Sequence, residues 1–323
     1  MDTKVISDVF GKLDNNVFLI ERAFSVKVTN REGYLNISGE SENAQNAKHA
    51  LEKLITMAKN GDVITDQSVN YIIGSIGHNH FGEIDKLGEN VICLTAHGKR
   101  IVPKTVNQKK YVEKINKNTI VFGVGPAGTG KTYLAMAMAI TAFKESNVSR
   151  IILTRPAIEA GENLGFLPGD LQQKIDPYLR PLYDALHEIM GQEAYIKNKE
   201  KGLIEVAPLA YMRGRTLNNA FIVLDEAQNT TPEQMKMFLT RIGFGSKAII
   251  TGDITQIDLP QGKRSGLVEA VNILNHIEDI GIIYLKKEDV VRHPLVQKII
   301  SAYEKTEKKP VSRGEKRANL RSK

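Results

Sequence analysis

The sequence lacks the features that mark a secreted or membrane-spanning protein. It contains one cysteine among 323 residues, Cys93, which excludes an internal disulfide and a cysteine metal cage. Its first ten residues have no cationic stretch followed by an apolar core, and no apolar run approaches the roughly 18 residues of a membrane span. We therefore expect a protein of the reducing cytoplasm without a membrane anchor.

The chain also lacks a strong overall charge, and its positive charge is uneven. Lysine and arginine number 44 against 37 acidic residues, which gives a net charge of +7. Residues 303–323 carry +5 of it and few large apolar side chains, a composition that favours a flexible, disordered basic tail. Residues 1–80 carry a net −2. The overall charge therefore does not by itself predict a nucleic-acid-binding face.

Length and patterning predict two unequal domains. Apolar spacing in residues 1–80 predicts a small α+β domain with the order helix, strand, strand, helix and a short further helix. Residues 81–90 are expected to form a linker. From 91 to 302, short apolar runs alternate with helical stretches, as in a parallel α/β sheet buried on both faces. The predicted strands lie in 119–125, 150–155, 220–225, 247–253 and 281–285.

A glycine-rich motif follows the first of these strands. The stretch GPAGTGKT fits G-x-x-x-x-G-K-[ST] and precedes a helical run. Such a loop surrounds phosphate oxygens with backbone amides, and the helix dipole adds positive potential. Lys131 would contact the β- and γ-phosphates of ATP, and Thr132 would bind Mg²⁺. The alternative is a turn without a ligand. The predicted ATP-binding residues are Gly125, Pro126, Ala127, Gly128, Thr129, Gly130, Lys131 and Thr132.

Polar residues follow two later strands at the edge where the loop would lie. In FIVLDEAQN, Asp225 is the candidate partner of Mg²⁺ through water, and Glu226 is the candidate general base. Adjacent acids at a helix N-terminus are the alternative. In KAIITGDITQID, Gln256 is a candidate for orienting the attacking water or sensing the γ-phosphate. A polar loop without such a role is the alternative there.

The series GPAGTGKT, LDEAQN and GDITQID resembles the first motor domain of superfamily 1 helicases, and it is similar in particular to the PhoH-like ATPases. The stretches TAHGKRIVPKTVNQKKYVEKI, YMRGRTLNNAFIVLDEAQN and VVRHPLV extend the resemblance over about 91–302. It implies a P-loop NTPase (RecA-like) fold, with a parallel sheet flanked by helices and with ATP and Mg²⁺ as cofactors. It further implies action on RNA or on ribosomal RNA maturation, an endoribonuclease partner and a homo-oligomer.

The resemblance also suggests roles for residues outside the glycine-rich loop. Gln108 lies 17 positions before Gly125, where superfamily 1 proteins have a glutamine that recognises adenine; a surface glutamine is the alternative. Arg292 lies where related motors supply a cation to the transferring phosphate; an ion pair or a helix cap is the alternative. The remaining candidates would bind RNA phosphates, ATP or nearby carboxylates, and they are Arg155, Arg213 and Arg215.

Two further segments have predicted roles. The stretch LPGDLQQKIDPYLRPLYDAL suggests helices broken by Pro168, Pro177 and Pro181, which would form a moving lid or a subunit contact. The front segment resembles a KH-type domain, with Gly11–Asp14 in place of the GXXG loop. This loop lacks the second glycine and adds an acid, which is unfavourable for clamping a phosphate backbone. A KH-like fold is therefore expected, with RNA binding, packing or oligomerisation as its alternative roles.

The sequence thus predicts an ATPase that acts on RNA or on an RNA-processing assembly. The competing interpretation is an ATP-dependent switch or adaptor that binds a nuclease without translocating, and a small-molecule kinase fits the DEAQ and GDxxQ elements less well. The 323 residues leave no length for a second motor domain after the first. We therefore expect translocation to need neighbouring subunits, arranged in a ring that is hexameric by family analogy.

Overall fold

The computed structural model describes residues 2–31, 34–77, 91–156 and 171–291, together with 295, 296 and 299. The described strands are Lys27–Arg31 (β1), Tyr34–Ser38 (β2), Cys93–Leu94 (β3), Arg100–Ile101 (β4), Ile120–Val124 (β5), Arg150–Arg155 (β6), Ile204–Pro208 (β7), Ala220–Leu224 (β8), Lys247–Gly252 (β9) and Ile280–Tyr284 (β10). The described α-helices are Thr3–Phe10 (α1), Asn15–Phe24 (α2), Ser41–Lys59 (α3), Asp66–Gly77 (α4), Val106–Lys117 (α5), Lys131–Lys144 (α6), Leu171–Met190 (α7), Gln192–Glu200 (α8), Pro232–Leu239 (α9) and Gly266–Leu274 (α10).

Six strands form one parallel sheet in the order β10-β5-β9-β8-β6-β7. Its central strands are continuous apolar runs, and every residue of β8 is buried, because helices cover both faces of the sheet. All five predicted strands are present, so the α/β class with a parallel sheet flanked by helices is confirmed. The structure adds β7 at one edge and the short hairpin β3–β4, which the apolar patterning did not predict.

The carboxyl ends of the parallel strands bring the motifs to one edge of the sheet. The glycine-rich loop follows β5, and the acidic pair follows β8, two positions away in the sheet. Between them lies β9, and the amide of Gly125 donates a hydrogen bond to the carbonyl of Gly252 at its end (3.0 Å). Ligands of open α/β sheets bind at this edge, where the connecting loops leave a crevice.

The predicted interruption of the long helical stretch by proline is wrong for the two prolines that the structure describes. Helix α7 runs through both Pro177 and Pro181. Both are exposed, so water can bind the backbone carbonyls that lose their N–H partners. The opposite face of α7 packs leucine and isoleucine side chains into the core and keeps the helix together. Pro168 lies outside the described residues.

The front segment has the predicted order of helix, strand, strand, helix in α2, β1, β2 and α3, with α1 before it and α4 after it. Strands β1 and β2 form an antiparallel hairpin, and the helices share an apolar cluster drawn from residues 9–76. In the loop that joins α1 and α2, Leu13 and Asp14 have left-handed backbones, and the Leu13 side chain is 93% exposed. The KH-like assignment and the domain limits stay predictions.

A hydrogen bond between described residues joins the front segment to the part of the chain that carries the sheet. The Tyr71 hydroxyl on α4 accepts from the amide of Val106, the first residue of α5 (2.7 Å). The predicted linker 81–90 and basic tail 303–323 lie outside the described residues. Among the helices that the structure describes, none is long and apolar enough to cross a bilayer.

Candidate nucleotide site

An open pocket of about 260 Å³ lies at the carboxyl edge of the sheet. The residues that line it come from the glycine-rich loop, from the start of α6 and from the loops after β8 and β9. They are Ala127, Gly128, Gly130, Lys131, Thr132, Tyr133, Asp225, Glu226, Gly252, Asp253 and Gln256. Most of the predicted ATP-binding and catalytic residues are therefore in one place.

The glycine-rich loop turns tightly around this pocket. Gly128 and Gly130 have φ values of +84° and +79°, which a side chain would strain, and α6 begins directly afterwards at Lys131. The Lys131 ammonium donates to the carbonyls of Gly125 (2.6 Å) and Pro126 (2.8 Å). A buried cation thus lies inside the loop beside the N-terminus of a helix, an arrangement suited to a polyphosphate.

The two predicted metal-binding residues are in direct contact. Thr132 Oγ1 donates to Asp225 Oδ1 at 2.7 Å, and Thr251 Oγ1 donates to the same oxygen at 2.8 Å. The amide of Asp225 in turn donates to the carbonyl of Thr154 at the end of β6 (2.9 Å). A hydroxyl and a carboxylate held side by side form the hard oxygen set that Mg²⁺ prefers. The chemistry of these side chains therefore fits a Mg²⁺ ion.

Glu226 lies beside this pair with an unusual backbone. Its φ of +52° is left-handed, which is uncommon for a residue other than glycine and places its side chain at the pocket wall. Its Oε1 lies 3.2 Å from an Arg155 guanidinium nitrogen, and its Oε2 accepts from the Gln228 amide at 2.6 Å. One carboxylate oxygen is therefore hydrogen-bonded, and the other is paired with a cation.

The structure assigns a central position to Gln228, for which the sequence suggested no role. This buried side chain donates to Glu226 and to the carbonyl of Gln256 (3.1 Å), and it accepts from the amide of Asp253 (3.0 Å). It thereby joins the loop after β8 to the loop after β9. The one feature of the sequence that could have indicated this role is the position of Gln228 two residues after Glu226 within DEAQN.

Asp253 fastens the glycine-rich loop to the end of β9. Its Oδ2 accepts from the amide of Ala127 at 3.0 Å, and its Oδ1 accepts from both the amide (2.9 Å) and the hydroxyl (2.6 Å) of Thr255. Gln256, three residues later, lines the pocket as the sequence suggested. A ligand that displaces the Ala127 amide from Asp253 would therefore break a contact between the glycine-rich loop and the loop that carries Gln256.

Gln108 is buried against the glycine-rich loop, with a side chain only 3% exposed, so its alternative assignment as a surface glutamine is wrong. Its amide nitrogen donates to the carbonyl of Thr129 (3.0 Å), and its amide oxygen accepts from the amide of Lys104 (2.7 Å). The Thr105 hydroxyl, which caps α5, holds the Gln108 backbone in place (3.2 Å). Gln108 thus touches the loop directly, while adenine recognition stays a prediction.

Tyr133 is a pocket residue that the motif analysis did not identify. It follows Thr132 on α6, and its hydroxyl donates to Glu188 Oε1 on α7 at 2.9 Å. Burial raises the pKa of this phenol, and the hydrogen bond to the Glu188 carboxylate raises it further. A phenol at that position keeps its proton at neutral pH and links the pocket to α7.

The other candidate arginines differ in their surroundings. Arg215 makes two hydrogen bonds with Glu205 (2.6 and 2.7 Å), which favours the carboxylate alternative. Glu205 lies on β7, four strand positions or about 19 Å from β5 at the usual strand spacing, so Arg215 is far from the glycine-rich loop. Arg213 is exposed in the turn after β7. Arg292 lies outside the described residues.

Comparison with known proteins identifies the family of this chain. The sequence model of the family described as PhoH-like protein matches residues 100–304. A PhoH-like protein of Bacillus subtilis is 52% identical over 92% of this chain and 93% of its own length. The chain belongs to the PhoH-like protein family. A PhoH-like protein of Mycobacterium tuberculosis is 54% identical over 94% of this chain and 86% of its own.

Other matches are more distant or cover less of the chain. Protein PhoH of Escherichia coli is 47% identical over 63% of this chain and 58% of its own length. A second family model, for parvovirus non-structural protein NS1, matches residues 19–144. A solved Sulfolobus solfataricus SWI2/SNF2 ATPase core in complex with dsDNA superimposes on 56% of this chain and 44% of its own, with a TM-score of 0.33 at 15% identity. The family and the pocket together make this PhoH-like chain a nucleotide-binding protein of the P-loop ATPase class.

Proposed function

We propose that this PhoH-like protein hydrolyses ATP with Mg²⁺ at the pocket described above. The observation that carries the proposal is the convergence of Lys131, Thr132, Asp225 and Glu226 on one pocket. A cation, a hydroxyl, a metal-binding carboxylate and a second carboxylate are the groups that phosphoryl transfer to water requires.

Each residue has a separate task in this reaction. The Lys131 ammonium exchanges its loop carbonyls for β- and γ-phosphate oxygens and neutralises their charge. Thr132 and Asp225 would hold Mg²⁺, which supplies charge neutralisation when bound. Glu226 takes the proton of the attacking water, and Gln256 orients that water or senses the γ-phosphate. Gln108 contributes adenine recognition, and Arg292 contributes a cation to the transferring phosphate.

Steady-state hydrolysis of ATP by the purified chain with Mg²⁺ tests these assignments. We expect Lys131→Ala to weaken ATP binding and abolish measurable hydrolysis. Glu226→Gln keeps the shape of the side chain without a base, so it should bind ATP while losing roughly 10²–10⁴-fold in rate. Lys201→Ala, an exposed lysine after α8, is the matched control. Hydrolysis by Lys131→Ala at the wild-type rate would refute the site.

We further propose that RNA, or an RNA-processing assembly such as that of ribosomal RNA maturation, is what this ATPase acts on. The family resemblance supports this, as do the exposed Arg213 and the basic composition of 303–323. Single-stranded RNA should stimulate hydrolysis, and its binding should weaken steeply as salt rises. Deleting 304–323 should lower the RNA affinity and flatten the salt dependence; unchanged values would assign the contact to the folded part.

A ring of subunits fits the same proposal, because a neighbouring subunit could close on the ATP bound at the P-loop sheet that the structure describes. We propose a homo-oligomer, hexameric by analogy, that works in the cytoplasm with an endoribonuclease as partner. Light scattering with ATP, Mg²⁺ and RNA should show the oligomer, and a monomer under these conditions would contradict it. RNA that changes neither hydrolysis nor ATP affinity would favour the competing function, an ATP-dependent adaptor that does not translocate.

A further inference from the structure

We propose that Arg155 restrains the general base Glu226 in the resting protein and releases it when α7 shifts. Arg155 is thus a positioning residue that regulates hydrolysis, and the inference rests on the ATPase function proposed for this chain. It assigns to Arg155 a task other than a direct contact with RNA or ATP.

The first observation is the position of Arg155 between two elements. It is the last residue of β6, the strand that neighbours β8, so its side chain emerges beside the loop that carries Glu226. One guanidinium nitrogen lies 3.2 Å from Glu226 Oε1, and the other donates to the carbonyl of Tyr178 on α7 at 2.9 Å. The planar guanidinium therefore bridges α7 and the base in one rigid unit.

The second observation concerns the lone pairs of Glu226. Its Oε1 faces the guanidinium, while its Oε2 accepts the short bond from Gln228. A carboxylate with one oxygen against a cation and the other accepting from an amide leaves less room for a water molecule at either oxygen. The left-handed backbone of Glu226 directs the side chain toward the pocket wall, where the guanidinium of Arg155 lies against Oε1.

The third observation is that α7 is joined to the pocket at a second point. Tyr133, the residue after the metal-binding Thr132, donates to Glu188 of the same helix. Tyr178 and Glu188 are ten residues apart, about 15 Å along a helix. A displacement of α7 therefore acts on the base through Arg155 and on the start of α6 through Tyr133, which couples the helix to the chemistry.

The size of the effect follows from the exposure of the pair. The Arg155 side chain is 22% exposed and that of Glu226 is 33% exposed, so solvent screens their attraction. Pairs of this kind shift equilibria by up to about five-fold. We therefore expect loss of the arginine to raise the rate constant of the hydrolysis step about two- to five-fold.

Single-turnover hydrolysis, with protein in excess over ATP, isolates the chemical step. Arg155→Ala should raise its rate constant two- to five-fold without changing ATP affinity. Arg155→Lys, which keeps the cation but cannot reach Glu226 and Tyr178 at once, should raise it less. Arg180→Ala, an exposed arginine on α7, is the matched control. In a Glu226→Gln background, Arg155→Ala should no longer raise the rate, because the restrained base is gone.

A rate that stays unchanged or falls in Arg155→Ala would overturn the proposal, as would an equal change in the Glu226→Gln background. A lower ATP affinity with an unchanged chemical step would show a role in binding instead. Thermal unfolding of wild type, Arg155→Ala, Glu226→Gln and the double variant, without ATP, tests the ion pair independently of turnover. Additive shifts of the melting temperature would refute the pair even if Lys131→Ala showed that the ATPase function itself is wrong.

Discussion

Replacement of Gln108 by alanine tests both the architecture of the glycine-rich loop and the proposed recognition of adenine. The side chain satisfies two backbone groups, the carbonyl of Thr129 and the amide of Lys104. Truncation removes both partners at a site that is only 3% exposed, where water replaces them poorly. We expect Gln108→Ala to destabilise the protein and to loosen the glycine-rich loop.

The magnitude follows from the two hydrogen bonds. A buried backbone group that loses its partner costs about 1–3 kcal/mol, so two such groups, one of them only partly buried, give a loss of about 2–4 kcal/mol. For a domain of about 150–250 residues, each kcal/mol lowers Tm by about 2–4 °C. Thermal unfolding should therefore show a decrease of about 4–16 °C. The exposed Gln261→Ala is the control and should melt near the wild-type temperature.

Gln108→Glu separates the two bonds, because it keeps the oxygen that accepts from Lys104 and replaces the donor that faces Thr129. A buried carboxyl opposite a carbonyl has a raised pKa, so the folded state binds more protons than the unfolded state above about pH 4.3. Its stability relative to wild type should fall as pH rises through that region and recover in acid, where the carboxyl can donate. A Tm within 2 °C of wild type for either variant at pH 7 would refute the structural role, and an unchanged preference for ATP over UTP would refute adenine recognition.

Two further changes have clear expected outcomes. Gly125→Ala places a Cβ 2.4 Å from the carbonyl oxygen of Leu285, which should lower Tm strongly. Gly74→Ala, at an exposed position of α4, meets no atom within 4 Å and should keep the stability or raise it by up to about 1 kcal/mol. Equal Tm values for the two variants would contradict this contrast. Tyr71→Phe removes the acceptor of the Val106 amide, at a cost of about 1 kcal/mol. Because burial raises the pKa of Tyr71, stability of the wild type should fall as pH rises above about 10, and urea unfolding of the variant should lack that part of the decline.

The strands of the sheet were predictable to the extent that helices cover both of their faces. β8, with five buried residues, has an unmistakable apolar run, and its predicted range differs from the structure by one residue. β7 was missed because its five residues contain Glu205 and end at Pro208, whereas β10, at the opposite edge and of the same length, has no charged residue or proline. A short run that mixes a charged residue and a proline with apolar residues does not stand out from a loop.

In the site, too, residues that belong to a local motif could be predicted, and residues whose partners lie far along the chain could not. The residue types of GPAGTGKT and LDEAQN identified the loop and the acids, since the chemistry requires those groups at a strand end. Gln228 was not identified, because its partners in the loop after β9 lie 25 and 28 residues away and only the folded chain brings them together. The burial of Gln108 could not be predicted either, since the sequence at the start of a helix does not show which other part of the chain packs against it.

The start of α5 joins parts of the chain that the sequence presents as separate. Val106 binds the front segment through Tyr71, Asn107 donates to the buried Asp289 (2.9 Å), and Gln108 contacts the glycine-rich loop. Two residues after Asp289, the amide of Val291 donates to the carbonyl of Gly128 (2.8 Å), so the segment leading to residue 292 is also attached to that loop. Three consecutive residues therefore connect the front segment, the glycine-rich loop and the segment 289–291. A nucleotide that changes the conformation of the glycine-rich loop would alter the contacts of all three. The change would reach the front segment through the hydrogen bond between Val106 and Tyr71.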